Sequence, residues 1–154
     1  MKKYILIFLF SMVPIAELRA AIVLAAAWDL NWVLTYAVCV VGNFIPVPFI
    51  LLFIRKILEW MKGIKHLSKI ALWIENKAQK HSDKVMKRAS LGLFLFVAIP
   101  LPGTGAWTGS LVAATLNMRM KYALPAIFTG IIVAGLIMSL AAFGVVGFLS
   151  FITA

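Results

Sequence analysis

Charged residues are absent from long stretches of the chain and concentrated in one segment between them. Positions 30–54, 89–118 and 122–154 contain no Asp, Glu, Lys or Arg. Each stretch is longer than the ~20 residues that an α-helix needs to cross the hydrocarbon of a bilayer. The pattern therefore predicts an all-α integral membrane protein with a single membrane domain over residues 1–154.

The second apolar stretch carries residues that a plain spanning helix would not tolerate well. Pro100, Pro102, Gly103 and Gly105 follow one another closely. Proline removes a backbone donor, and glycine lowers helix stability. Non-helical backbone is tolerated at membrane depth only where it is buried in protein or lines a polar cavity. We therefore predict that residues 89–118 form a broken or re-entrant element whose tip binds a ligand.

The N-terminal stretch repeats the beginning of that element. Residues 8–14 read FLFSMVP and residues 94–100 read FLFVAIP, so that Pro14 and Pro100 are equivalent. This echo predicts an internal repeat in which residues 1–29 form a first re-entrant element. It also favours retention of the N-terminal stretch over its cleavage as a signal peptide. Broken spans remain the alternative to hairpins, but hairpins separated by one span would form the inverted repeat common in transporters.

Residues 30–54 predict a transmembrane helix that has a weak point near its centre. Gly42 and Asn43 lie at its midpoint, and Pro46 and Pro48 follow. Two interpretations stay open. One is unwinding at the midplane, which is typical of a transporter's substrate site, and the other is a proline-kinked helix in which Asn43 bonds a neighbouring helix. The predicted hinges of the whole chain are Pro14, Pro46, Pro48, Pro100 and Pro102.

The C-terminal stretch, residues 119–154, is long for a single helix that crosses the membrane upright. A continuous helix over its uncharged residues would measure ~50 Å at 1.5 Å per residue. It contains Pro125 and four glycines as possible breaks. The stretch therefore holds either one tilted helix with a tail or a helix followed by a short return.

Residues 55–88 differ from the rest because they hold ten of the fifteen Lys and Arg residues of a chain with net charge +10. Apolar residues recur among them at helical spacing, from Ile57 to Ala78. The segment predicts a basic amphipathic helix that lies on the cytoplasmic side under the positive-inside rule and is attracted to anionic lipid. A coiled-coil partner surface is the alternative, and nucleic-acid binding is not expected.

Glu17 and Arg19 are the ionisable residues placed deep in an apolar block, and such residues mark functional sites by default. If the two tips meet, Arg19 offers a cationic fork for phosphate or carboxylate. The backbone at 103–105 and the helix that restarts after it offer N–H donors to the same anion. Glu17 would couple protons, although a buried contact that merely fastens the two repeats is the alternative. The predicted substrate-binding residues are Arg19, Asn43, Gly103, Thr104, Gly105 and Thr108.

Residues that carry enzymatic or metal chemistry are sparse in this chain. Cys39 is its single cysteine, and its two histidines, His66 and His81, both lie in the basic segment. We find no metal-ligand spacing and no phosphate-binding loop. We therefore expect no enzyme activity, no metal and no cofactor, so that any transport runs on an ion gradient or is passive.

Three motifs resemble those of the small multidrug export family, a compact branch of the DedA-like (VTT/SNARE-associated) membrane superfamily. They are PIAELRAAI at 14–22, GNFIPVPF at 42–49 and FVAIPLPGTGAWTG at 96–109. Their order and spacing cover essentially the whole chain. Where the family usually has Gly and Pro after the Glu-x-Arg pair, this chain has Ala20 and Val23.

The resemblance implies two re-entrant hairpins packed against membrane helices. It also implies the activities assigned to the superfamily: moving lipids such as undecaprenyl phosphate, proton-dependent transport, and effects on drug sensitivity. Glu17 and Arg19 match the acidic and basic residues that the superfamily requires. We therefore expect a homo-oligomeric inner-membrane transporter of an anionic amphipathic lipid. A proton-coupled exporter of small cationic drugs and a non-transporting scaffold are the alternatives.

Overall fold

A computed structural model describes residues 1–62, 83–101 and 103–153. Within these ranges the regular secondary structure is helical. The helices are α1 (Lys2–Met12), α2 (Glu17–Ala27), α3 (Trp32–Phe44), α4 (Pro46–Lys62), α5 (Asp83–Ala98), α6 (Ala106–Thr115) and α7 (Met120–Thr153). The all-α prediction is thus confirmed for the described part of the chain. The middle of the predicted amphipathic segment, residues 63–82, and the predicted hinge Pro102 lie outside it.

Within the described residues, two stretches of helix are long and apolar enough to cross a bilayer. They are Trp32–Ile57, which includes α3 and most of α4, and Met120–Val145 in α7, with mean hydropathies of 2.4 and 2.3. Large apolar side chains lie exposed on the outside of the fold, among them Phe49 at 67% and Leu140 at 65%. Such extensive apolar exposure is unfavourable in water and typical of a surface that contacts lipid. The chain is therefore a membrane protein.

The first of these stretches stays helical through Gly42 and Asn43, so the interpretation that it unwinds at the midplane is wrong. Ile45 has helical φ and ψ of −52° and −46°, and its N–H donates to the carbonyl of Val41 over 3.1 Å. Pro46 then begins α4, and because proline has no N–H it cannot donate the next helical hydrogen bond, to the carbonyl of Gly42. The result is a proline-containing joint between two consecutive helices.

The C-terminal stretch forms one helix, α7, which runs through Pro125 and its glycines without a return. Of the two predicted alternatives, the single long helix is thus the one observed. Helix α7 begins at Met120, three residues after Asn117, whose φ is 49°. The N–H of Met118 donates to the carbonyl of Ala113 over 2.9 Å, which closes the end of α6 before α7 starts.

The same stop precedes α3. Asp29 has a φ of 53°, and the N–H of Leu30 donates to the carbonyl of Ala25 over 3.1 Å. Asp and Asn tolerate this left-handed conformation better than most residues because their short side chains bond the local backbone. Both short helices, α2 and α6, therefore end in the same way, with the left-handed residue three positions before the next helix begins.

Each half of the fold contains a helix, a turn and a second helix. In the first half α1 ends at Met12 and α2 follows, and in the second half α5 ends at Ala98 and α6 follows. Met12 and Ala98 are equivalent in the sequence echo, two residues before Pro14 and Pro100. Helix α5 begins at Asp83. The sequence placed the start of this element at position 89, where its uncharged stretch begins, but the helix also includes the charged residues before that position.

The first half comprises α1 to α4 and the second half α5 to α7. The two halves pack together through their long apolar stretches, which are α3 with α4 in the first half and α7 in the second. Helix α1 packs along α3 and α5 packs along α7, whereas α2 packs on α7 and α6 packs on α4. One buried cluster joins residues of α3, α4, α5, α6 and α7, and a second joins α1, α2, α3 and α7. Each short second helix thus lies against the long helix of the other half, which brings the two turns together.

Candidate functional site

The candidate site lies where the two turns meet. We call residues 13–19 the first tip and residues 99–108 the second tip. Glu17 begins α2 with a φ of 49° and is 6% exposed. Its Oε1 accepts a hydrogen bond from the backbone N–H of Trp107 over 3.2 Å. A carboxylate of the first tip is therefore bound by the first turn of a helix that starts in the second tip.

This carboxylate supplies a cap that α6 lacks in its own sequence. The N-cap of α6 is Gly105, which has no side chain to accept from the first-turn N–H groups. Trp107 occupies the second helical position, whose N–H an N-cap side chain usually bonds. Negative charge is also favoured at a helix N-terminus by the helix dipole. Glu17 therefore caps α6 from the opposite half of the fold.

Gly105 is required for that approach. A Cβ at this position would lie 1.9 Å from Oε2 of Glu17, and the φ of Gly105 is +154°. Its ψ of −167° places it in a region of backbone conformation that is essentially restricted to glycine. Both the space and the backbone conformation at residue 105 thus exclude a side chain.

Arg19 makes the complementary contact to the second tip. Its guanidinium donates to the carbonyl of Leu101, to Oγ1 of Thr104 over 3.0 Å and to the carbonyl of Ile99 over 3.4 Å. Thr104 Oγ1 is also 2.9 Å from each of these two carbonyls. Within the loop, the carbonyls of Ile99 and Leu101 also accept the backbone N–H groups of Leu101 and Thr104 over 2.8 and 3.1 Å. Arg19 therefore adds a charged donor from the first tip to a loop that already bonds within itself.

Trp107 adds a third link between the halves. Its indole Nε1 donates to the carbonyl of Met12, at the end of α1, over 3.0 Å. Three side chains, Glu17, Arg19 and Trp107, thus hold the tips together. This is the geometry expected of the fastening alternative, and it also places a carboxylate and a guanidinium beside the same cavity.

That cavity lies between the tips and has a volume of about 250 Å³. Its lining is Pro14, Ile15, Ala16, Glu17, Arg19, Ala20, Gly103, Thr104 and Thr108. The volume is below the ~300–1,000 Å³ of sites that enclose a drug-sized ligand. The cavity therefore suits the polar head of an amphipathic molecule better than the entire molecule.

A comparison with known protein families agrees with the resemblance found in the sequence. The family model described as "Putative small multi-drug export protein" matches residues 17–137. The chain belongs to this family. The matched range begins at Glu17 and includes both halves of the cavity lining. No curated protein and no solved structure matches the chain.

The structure of this family member brings most of the predicted site residues together. Five line the cavity and a sixth, Gly105, contacts Glu17 beside it; the five are Glu17, Arg19, Gly103, Thr104 and Thr108. Asn43 is different, because it is fully buried in α3 and does not line the cavity. Neither polar atom of its amide has a hydrogen-bond partner among the described residues. Its predicted role in substrate binding stays a prediction.

The predicted hinges take different places. Pro14 lines the cavity, whereas Pro46 and Pro48 lie in the first turn of α4. Pro100 lies between Ile99 and Leu101, the two residues whose carbonyls accept from Arg19. The α6 N-terminus, which the sequence assigned to the substrate's anion, holds the carboxylate of Glu17 in this structure.

The sequence reasoning did not find the role of Trp107 as a connector. Two signals pointed to it. Gly105 precedes a helix without offering a capping side chain, and the remote carboxylate of Glu17 was the acidic group available at the same depth. A helix start that lacks its own cap needs an acceptor from elsewhere in the fold.

Proposed function

We propose that this member of the small multidrug export family is a transporter that binds the head of an anionic amphipathic lipid between its two tips. The observation that carries the proposal is the half-polar cavity of about 250 Å³, which holds both Arg19 and Glu17. A polyprenyl phosphate such as undecaprenyl phosphate is the substrate that we name first. Its phosphate would enter the cavity while its tail stays in the bilayer.

Arg19 is the proposed phosphate ligand. In this structure its donors go to neutral acceptors, namely two backbone carbonyls and the hydroxyl of Thr104. A hydrogen bond between a guanidinium and a phosphate oxygen is roughly twice as strong as a bond between neutral groups. A phosphate in the cavity would therefore compete well for the guanidinium, and Thr104 and Thr108 would supply hydroxyl donors.

Glu17 is the proposed proton-coupling residue, and its position supplies the reason. When ionised it occupies the N-terminus of α6, which is also the place where an incoming phosphate would be best stabilised. Two anions would repel each other there. Protonation of Glu17 removes its charge and weakens its bond to Trp107, which frees the helix N-terminus for the substrate. Substrate binding and proton uptake would then be linked.

The architecture that we propose for this transport is the inverted arrangement of two re-entrant units. Its support is that the two halves pack in corresponding ways. Helices α1 and α5 each lie along the long helix of their own half, whereas α2 and α6 each lie along the long helix of the other half. In this proposal the protein is DedA-like and resides in the inner membrane as a homo-oligomer. The basic residues 55–88 then face the cytoplasm.

Export of small cationic drugs is the second candidate function. The family description favours it, and so does the position of Glu17, whose carboxylate lines the cavity and would serve as a counter-ion. In this case Glu17 would matter more than Arg19. A non-transporting scaffold, in which both residues only fasten the halves, would move neither class of substrate.

The experiment that tests the proposal uses purified protein in liposomes that carry undecaprenyl phosphate in one leaflet. Its appearance in the other leaflet is followed for wild type, Arg19→Ala and Glu17→Gln. Arg88→Ala is the matched control, because it removes the same charge from an exposed position of α5. Loss of a charge-assisted contact costs about 1.5–3 kcal/mol, so we expect Arg19→Ala to slow transfer at least about tenfold.

The remaining variants and a second substrate separate the candidates. Glu17→Gln should make the rate insensitive to pH, and Arg88→Ala should transfer lipid at the wild-type rate. Liposomes loaded with a cationic dye test the second candidate, which predicts dye movement that Glu17→Gln abolishes and Arg19→Ala leaves largely intact. If folded wild type moves neither substrate faster than empty liposomes do, the transport proposal fails and the scaffold takes its place.

A further inference from the structure

A second concavity lies on the outside of the fold, apart from the cavity between the tips. It has a volume of about 570 Å³ and is lined by Phe49, Ile50, Leu52, Phe53 and Lys56 of α4 and by Trp107 of α6. Its walls are apolar, and Lys56 is the one residue among them that carries a charge. We call it the α4 groove. Its volume is within the ~300–1,000 Å³ range of ligand-binding sites.

The side chains of the groove belong to one exposed face of α4. Phe49, Phe53 and Lys56 follow one another at helical spacings of four and three residues, and Trp60 continues the same face. Phe49 is 67% exposed, Phe53 is 65% exposed and Trp60 is 69% exposed. Such a face, apolar at one end and bearing a cation and an indole at the other, matches the change from hydrocarbon to headgroup in a bilayer.

The position of Lys56 along the helix supports this reading. The apolar span that begins at Trp32 ends at Ile57, so Lys56 lies at the end of the span. Phe49 is seven residues deeper, which is about 10 Å along the helix axis. A lysine at this level extends its ammonium group to the headgroups while its methylenes stay against apolar surface. The phosphate of a lipid whose chain follows the groove would lie at the same level.

We propose that the α4 groove is a binding site for an anionic phospholipid. One acyl chain lies along Phe53 and Phe49 towards Trp107, and the phosphate contacts Lys56. Because Lys56 is the one charge in the lining, the site selects lipids by net negative charge and not by the chemistry of the headgroup. This site goes beyond the proposed transport function, since it requires no movement of the lipid.

The groove and the tip cavity share one residue. The indole of Trp107 lines the groove, while its backbone N–H binds Glu17 and its Nε1 binds the carbonyl of Met12. A lipid chain in the groove would therefore pack against the side chain whose polar atoms connect the two tips. A lipid bound in the groove would restrict the motion of Trp107 and so stabilise the contact between the two tips.

The test uses the fluorescence of Trp107 and its quenching by lipids with brominated acyl chains. A variant that keeps Trp107 and replaces Trp28, Trp32, Trp60 and Trp73 by Phe is reconstituted with brominated phosphatidylglycerol or brominated phosphatidylcholine at equal fractions. One lysine near the headgroups favours an anionic lipid about fivefold. We therefore expect phosphatidylglycerol to quench at about a fivefold lower fraction than phosphatidylcholine.

Two charge variants give the matched comparison. Lys56→Gln should remove the preference for phosphatidylglycerol, whereas Lys121→Gln, which removes an exposed charge at the start of α7, should keep it. Native mass spectrometry of otherwise unmodified protein should likewise show fewer retained anionic lipids for Lys56→Gln only. Equal quenching by both lipids, or a preference that survives Lys56→Gln, would overturn the proposal. So would the absence of quenching by either lipid, which would mean that protein covers the groove.

Discussion

Replacing Gly105 by alanine tests the contact on which the candidate site depends. The added Cβ would lie 1.9 Å from Oε2 and 2.6 Å from Cδ of Glu17. Real Cβ atoms do not approach other atoms so closely, so the carboxylate must move. Since its Oε1 is bound to the N–H of Trp107, its displacement also removes the cap of α6.

Gly103 provides the control because its backbone conformation also disfavours a side chain, but no contact to Glu17 is involved. Its φ is +80°, and a Cβ there would have no atom within 4 Å. Alanine costs about 1–2 kcal/mol in the left-handed conformation of residue 103 and about 1–3 kcal/mol in the conformation of residue 105. Loss of a hydrogen bond to a charged group adds about 1.5–3 kcal/mol at residue 105 alone. We therefore expect Gly105→Ala to destabilise the protein by about 2 kcal/mol more than Gly103→Ala does.

The assay is the free energy of unfolding in mixed micelles titrated with a denaturing detergent, measured for both variants in two backgrounds. With Glu17→Ala, the carboxylate that clashes is absent, and the cap is already lost. In that background the cost of Gly105→Ala should fall by about 1.5–3 kcal/mol, whereas the cost of Gly103→Ala should not change. Equal costs of the two glycine variants in the wild-type background would refute the reasoning, as would a cost at residue 105 that does not depend on Glu17.

Three further predictions concern the packing of the helices. Gly42→Ala should destabilise by about 1–3 kcal/mol, because its Cβ would lie 2.1 Å from Ser11 Oγ and 2.8 Å from the backbone carbonyl of Phe8. Gly144→Ala, with nothing within 4 Å, should instead stabilise α7 by up to about 1 kcal/mol in the same unfolding assay. Cys39, the single cysteine, is fully buried. A maleimide should therefore modify it only after unfolding, and rapid labelling of folded protein would contradict the packing of α1, α2, α3 and α7.

Much of the fold was predictable because hydrophobicity and backbone chemistry act locally. Stretches without charge predicted the long helices, and the two spans fall where residues 30–54 and 119–154 placed them. The echo around Pro14 and Pro100 predicted an internal repeat, and α1 and α5 end at the equivalent residues Met12 and Ala98. Local patterns do not record how far a helix continues past a change in composition, which is why α5 begins at Asp83 and not at position 89.

The detail of the site was less predictable, since it depends on contacts between residues about 90 positions apart. The sequence singled out Glu17, Arg19 and Thr104 as site residues because ionisable and polar groups are costly in an apolar block. It could not show that Glu17 would cap the helix behind Gly105, or that Arg19 would bind the carbonyls of the second tip. Both contacts arise from the packing of α2 on α7 and of α6 on α4, which places one tip against the other.

Asn43 illustrates the opposite case. A polar residue beside Gly42, Pro46 and Pro48 suggested unwound backbone, but the helix continues through it. The joint forms at Ile45 and Pro46 because proline has no N–H to continue the helical hydrogen bonds. Composition identified the weak point, whereas the surrounding helices determined which backbone conformation it takes.

The most direct test of the central claim is the initial rate at which wild type and Arg19→Ala transfer undecaprenyl phosphate between the leaflets of the same liposomes. The account predicts transfer by wild type well above empty liposomes and a loss of at least about tenfold in Arg19→Ala, corresponding to about 1.4 kcal/mol or more. Arg88→Ala should retain the wild-type rate. Equal transfer by Arg19→Ala and wild type would contradict the assignment of the cavity between the tips as the phosphate site.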